Sequence, residues 1–146
     1  MKLSSCYVSI IIPVYNAENS LDRLLTSLLE QDFPRDQYEI IAVDNNSSDT
    51  SAAIISRYDV TYCFESQPSS YKARNKGVQQ AKGNILAFID SDVVAAPNWL
   101  SAGIRCLEHY DIAGCKICTS NSEKKYLYLL DKVILNPYRN FNYQYK

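Results

Sequence analysis

Ile85-Leu-Ala-Phe-Ile-Asp-Ser-Asp92 is a run of buried-type residues that ends abruptly in two carboxylates spaced one residue apart. The run reads as a short buried strand over 84–89. In an extended chain residues i and i+2 point to the same side, so Asp90 and Asp92 can place two negative charges over one small volume. Carboxylates this close disfavour each other's ionisation unless a cation is present. A hard divalent ion, Mg2+ or Mn2+, suits such oxygen ligands and keeps positions open for phosphate oxygens. By themselves the two acids fit a metal site and a solvated loop equally well.

Outward from this stretch, strands alternate with helical patterns. Tyr7-Val-Ser-Ile-Ile-Ile-Pro-Val14 is short and β-branched, as expected of a strand covered on both faces, with Pro13 tolerable only near its end. Asn19 or Ser20 can cap the next helix, in which Leu21, Leu24, Leu25, Leu28 and Leu29 form one apolar face; Pro34 marks its end. Residues 38–43 read as a second strand, and the polar cluster 44–50 as a loop running into a helix that ends near Tyr58. A short strand follows over 60–64. In the helix expected over 71–82, the small residues Ala73, Gly77 and Ala81 permit close approach to a sheet, and Gly83 is placed to cap it. Pro97 suits the first turn of a helix reaching about Leu107. Beyond it, 112–115 reads as a strand, 123–135 as a helix-like run, and 140–146 as a half-buried strand.

This alternation predicts an α/β fold with βαβ units around a largely parallel sheet. Ligands of such sheets bind beyond the carboxyl ends of the strands. Three polar clusters fall at those ends: Tyr15-Asn16, Asp44-Asn45-Asn46 and Asp90-Ser91-Asp92. A row of polar tips on one sheet edge is harder to explain as solvated loops than any one of them.

Composition narrows the function. At 146 residues the chain is sized for one domain, against a prior of roughly 100–200 residues. Lys plus Arg number 15 and Asp plus Glu 16, so neither a basic stripe for nucleic acid nor an acidic tail is present. No stretch approaches the roughly 18 consecutive apolar residues of a membrane span. Five cysteines at irregular spacing suit reduced thiols, which implies a cytoplasmic setting, including the inner face of the membrane.

Taken together, Val8-Ser-Ile-Ile-Ile-Pro-Val-Tyr-Asn16, Val43-Asp-Asn-Asn-Ser-Ser-Asp49, Ala73-Arg-Asn-Lys-Gly77 and Asp90-Ser-Asp92 followed by Pro97-Asn-Trp-Leu100 resemble, in order and spacing, the family 2 glycosyltransferases. The resemblance implies a GT-A (Rossmann-like) sheet flanked by helices and covers the donor-binding half, about 1–110, plus the start of an acceptor half, about 111–146. It also implies that the carboxyl-terminal part of the domain is missing. Carried across residue by residue, it places Pro13, Tyr15 and Glu18 beside the base and ribose of a nucleotide sugar and has Asp44 hydrogen-bond the base. It sets Arg74 near the diphosphate, Asp90 toward the ribose and Asp92 on a Mn2+ or Mg2+ ion. For Arg74 a surface ion pair on a helix is the competing reading. The loop reads Asp-Asn-Asn where the family more often has Asp-Asp-Gly, and Asn46 must then tolerate left-handed geometry, as Asn does better than most residues.

The chemistry implied is metal-assisted, inverting displacement at the sugar's anomeric carbon by a hydroxyl of a saccharide or lipid-linked acceptor, as in cell-wall or polysaccharide biosynthesis. A general base is also required. None of Glu108, Asp111, Glu123 and Asp131 stands in a recognisable base motif, so the base is expected beyond Lys146. A non-catalytic nucleotide-sugar-binding or interaction fragment is the alternative, with strand 140–146 offering an edge for pairing. A dinucleotide-dependent oxidoreductase would need a Gly-x-Gly-x-x-Gly turn where this chain has Val14-Tyr-Asn-Ala-Glu-Asn. Cys115-Lys-Ile-Cys118 offers only two metal ligands, and the sole histidine, His109, is not at companion spacing. The tyrosines Tyr126, Tyr128, Tyr138, Tyr143 and Tyr145 and the single Trp99 read as packing.

Overall fold

The chain's computed structural model describes residues 7–110, 112–114 and 133–135. Its sheet has the order β3-β2-β1-β4-β6-β5, with β1 (Val8–Val14), β2 (Tyr38–Asp44), β3 (Thr61–Phe64), β4 (Ile85–Phe88), β5 (Ile112–Gly114) and β6 (Val133–Leu135). The first four strands are parallel to one another, while β6 runs antiparallel to both β4 and β5. The helices are α1 (Leu21–Leu29), α2 (Ser51–Ile55), α3 (Ser70–Gln80) and α4 (Trp99–Cys106).

β1 and β2 are central because their near-continuous apolar runs need cover on both faces. Ile10, Ile12, Ile40 and Ala42 pack in one cluster with Leu21, Leu24, Leu25 and Leu28 of α1 and with Trp99, Leu100 and Ile104 of α4. Their neighbours in sequence face the other way, where Ile41 and Val43 pack with Ala73 of α3. Four of the five leucines of α1, Leu21, Leu24, Leu25 and Leu28, are fully buried because the spacing puts them on one stripe, while Leu29 at its edge is partly buried.

α3 approaches the sheet through Gly77. A Cβ there would meet the Ile11 Cγ2 and lie 3.3 Å from Val43 Cγ2. Gly83 works differently from the expected helix cap. α3 ends at Gln80, with Ala81 in extended geometry, and no glycine among the described residues has positive φ. The need for glycine at 83 is steric: a Cβ would fall 2.5 Å from Ser9 N and 2.6 Å from Tyr7 O. Close to it, Ser9 Oγ donates to Glu39 Oε1 at 2.6 Å and accepts from Gly83 N at 2.8 Å, so the buried carboxylate and hydroxyl satisfy each other.

Other boundaries moved. The strand expected over 84–89 is only Ile85–Phe88, and Asn84 instead accepts the Tyr7 N–H on its side chain at 2.9 Å. Pro97 precedes α4 rather than opening it, with Asn98 at the cap position. The helix-like run 123–135 is corrected at its end, because Val133–Leu135 is a strand joined to β4 and β5. Three consecutive apolar residues fit either period, and sheet pairing decided between them. The remainder of that run, the CxxC pair, the tyrosines beyond 125 and strand 140–146 lie outside the described residues. Among the described residues no helix is long and apolar enough to cross a membrane.

Candidate functional site

The strand tips meet at one edge because the ladders are level. Val14 pairs with Asp44, and Ile11 pairs with Phe88, so the residues after Phe88 run alongside those after Ile11. β1 connects onward to β2 and β3 on one side, whereas β4 lies on the other. The crevice between β1 and β4 is therefore a topological switch point, where ligands of open α/β sheets bind.

A cavity of about 580 Å³ opens there, lined by residues 13–17 of the first strand's tip, by Ser20, Asn45, 68–70 and Arg74, and by Asp90, Ser91 and Asp92. It brings together Pro13, Tyr15, Arg74, Asp90 and Asp92 from three separate parts of the chain. Tyr15 is exposed, which leaves its ring free to cover a planar ligand. Arg74 Nη2 and Asp90 Oδ1 form an ion pair at 2.8 Å, with side chains 25% and 35% exposed. Arg74 is thus in an ion pair, and that pair lines the cavity. Its remaining guanidinium N–H groups are still available as donors.

Asp92 is exposed in the turn after β4 and has no ion-pair partner among the described residues. Nor do the described residues contain a group of three or more His, Cys, Asp or Glu that could hold a metal ion. A cation at Asp92 would take most of its shell from water and phosphate oxygens. That is how Mg2+ is usually held, so the donor set fits a hard divalent ion bound together with a diphosphate.

α1 fixes the segment that carries Asp92. Ser20, at the helix cap position, makes no capping bond; its hydroxyl donates to Ser91 O at 2.8 Å. Two turns on, Ser27 Oγ accepts the Ala95 N–H at 3.0 Å, and just past the helix end Gln31 donates to Ala96 O at 2.8 Å while accepting from Leu100 N at 3.0 Å. These polar residues interrupt the leucine stripe where the 91–100 segment crosses it. In sequence only Ser20 stood out, as a candidate helix cap.

Glu18 and Asp44 have a different immediate environment from the one expected, since neither lines the cavity. Glu18 Oε2 accepts from Thr50 Oγ1 at 2.8 Å and from Thr50 N at 3.2 Å. In return Asp49 Oδ2 accepts from Glu18 N at 3.0 Å, Ser48 N donates to Asn16 Oδ1 at 2.8 Å, and Ser51 Oγ accepts from Ala17 N at 2.8 Å. The two loops after β1 and β2 are zipped by reciprocal bonds, and Asn16 and Asn46 take the left-handed conformations this needs, with φ of 46° and 63°. The buried Asp44 carboxylate accepts from Ser47 N at 2.9 Å and from Tyr62 OH at 3.2 Å. Burial and the Asp44 charge together raise the Tyr62 phenol above its ordinary value, so it stays a donor.

Burial alone would raise the Asp49 carboxyl, but hydrogen bonds from Ser51 and from the Glu18 N–H outweigh it and hold the group below its ordinary value of 3.8. A carboxyl depressed in the folded state contributes stability above its unfolded pKa and loses it as pH falls through the folded one. Urea stability of the parent is therefore expected to drop more steeply below pH 3.8 than that of Asp49→Asn. Parallel curves would show that the carboxylate does not hold the zip.

Such a fold, with its crevice carrying an acidic pair and an arginine, defines an α/β domain with a ligand-sized cavity at its switch point. The family model for Glycosyl transferase family 2 matches residues 9–146, and the chain belongs to that family. It is 36% identical over 104 residues to Glycosyltransferase AglE of Haloferax volcanii, which covers 67% of this chain and 34% of that protein. The chain thus spans about a third of that relative's length. Among solved structures it is similar to Staphylococcus aureus TarS 1-349 in complex with UDP, with a TM-score of 0.67 and 30% identity over 73% of this chain and 34% of that one. It is also similar to the mannosyltransferase PcManGT from Pyrobaculum calidifontis in complex with GDP-Man and Mn2+, with a TM-score of 0.69 and 26% identity over 73% of this chain and 33% of that one. The fold is accordingly the GT-A type, of which the described residues form part.

Proposed function

We propose that this chain is the donor-binding half, about 1–110, and the start of the acceptor half, about 111–146, of a nucleotide-sugar-dependent glycosyltransferase. The reaction is inverting transfer of a sugar from a nucleoside diphosphate to a hydroxyl of a saccharide or lipid-linked acceptor. The observation that carries this reading is the switch-point cavity, in which Asp92, without a partner charge among the described residues, stands next to the Arg74–Asp90 pair. The nucleotide-bound state of TarS and the GDP-Man and Mn2+ of the mannosyltransferase support it.

Within this reading Pro13 and Tyr15 flank the base and ribose, and Asp90 faces the ribose while orienting Arg74. Arg74 offers its free N–H groups to the diphosphate, a bidentate pairing that its planar fork suits. Asp92 would hold Mg2+ or Mn2+, which when bound supplies Lewis-acid stabilisation of the charge on the leaving diphosphate. Asp44 contributes to the base end through the lone pairs its two contacts leave free, and Glu18 through the loop it fastens. The general base is unassigned, because among the described residues no third carboxylate lines the cavity. The reading includes a cytoplasmic setting, which Cys63 and Cys106, without disulfide partners among the described residues, fit.

The test is a thermal-shift panel of UDP, GDP and ADP with and without Mn2+. At least one uridine or guanosine diphosphate is expected to stabilise the chain, and by more when the metal is present. A panel with no nucleotide-dependent shift would overturn the donor-site reading.

A further inference from the structure

Asn45 lies at the end of β2, lines the cavity, and is 4% exposed. Its carboxamide spends all three of its bonds on one segment: Nδ2 donates to Gln67 O at 2.7 Å and to Glu65 O at 3.2 Å, and Oδ1 accepts from Ser69 N at 2.7 Å. Its own N–H is fastened to Val14 O at 2.7 Å, so the clamp is anchored in the central ladder. The segment it holds leaves the edge strand β3, contributes Pro68 and Ser69 to the cavity wall, and delivers Ser69 to the cap position of α3. One turn further along α3 stands Arg74, bonded to Asp90.

Two of the three bonds require a donor. A carboxylate at this position could keep only the Ser69 bond and would face two carbonyl oxygens with a negative charge. We propose that Asn45 is a positioning residue of the nucleotide site: it clamps residues 65–69 so that the wall at Pro68 and Ser69 and the start of α3, with Arg74, are in place before a ligand arrives. This deepens the donor-site reading above and rests on it. It also gives the departure from the family's more common Asp-Asp-Gly a physical role.

The test is calorimetric titration of the full chain with UDP and with GDP, each with Mn2+, on the parent, Asn45→Asp, Arg74→Ala and the double variant. Asn45→Asp is expected to bind about tenfold more weakly, the size of effect for two lost bonds to a held segment. The double variant is expected to bind within about twofold of Arg74→Ala, because residues acting through one element are not additive. Binding of Asn45→Asp within about twofold of the parent, or full additivity with Arg74→Ala, would overturn the proposal. Hydrogen exchange of the nucleotide-free parent decides independently of whether the variant folds: the Ser69 amide is expected to be protected, and free exchange there removes the clamp. If the parent binds neither nucleotide, the donor-site reading falls, while Ser69 protection still decides whether the clamp exists.

Discussion

Asp92→Ala is expected to weaken the binding of a uridine or guanosine diphosphate in the presence of Mn2+ by about 100-fold, since even outer-sphere partners of metal ligands cost 10–100-fold when removed. Without metal, the parent and the variant should bind alike. This asymmetry separates a cation ligand from a residue that merely shapes the cavity. Asp92 is exposed and unpaired among the described residues, so its loss should leave unfolding within about 0.5 kcal/mol of the parent. Asp90→Ala should behave differently, because Asp90 also neutralises Arg74, and affinity should fall with and without metal. Equal loss in Asp92→Ala under both conditions would move the metal role away from Asp92.

The largest effect on stability is expected at Gly77. In Gly77→Val the new Cβ would stand where the Ile11 Cγ2 is, and its methyls would meet Val43, both on strands with no room to retreat. Overpacking of this kind costs about 2–3 kcal/mol, and the small gain in helix propensity over glycine offsets less than 1 kcal/mol of it. Urea unfolding should show the loss as a lower midpoint with an unchanged slope. Ile11→Ala in the Gly77→Val background should recover part of it, as coupled neighbours do. A variant as stable as the parent would mean that α3 can lift from the sheet.

Much of the site was legible because its polar tips interrupt apolar strands at regular intervals. The Val8–Val14 and Tyr38–Asp44 runs have no reading but buried strands, and their ends named Tyr15, Asp44 and, after β4, Asp90 and Asp92. Less legible were residues that serve the site through long-range bonds. Ser20 has the sequence signature of a helix cap, but its hydroxyl crosses 71 residues to Ser91. Gln31 would pass for a solvent-facing residue of a helix end, yet it is 9% exposed and holds both Ala96 and Leu100. Glu18 bonds Thr50 of the neighbouring loop, a contact that the first strand's motif gave no sign of.

From the sequence by itself come the periodicities: which runs are strands, which face of α1 is apolar, and which acids terminate a buried run. These are local properties, set by the alternation of side chains within a few residues. Only the tertiary structure decided how charges and amides are shared. Arg74 and Asp90 pair, leaving Asp92 as the acid of the two without a counter-charge among the described residues, and Asn45 rather than Asp44 forms the cavity wall. The reason is that a hydrogen-bonding group takes the nearest partner in space. At the switch point the nearest partners come from loops that the chain separates by tens of residues and that the level ladders of β1, β2 and β4 bring to one edge.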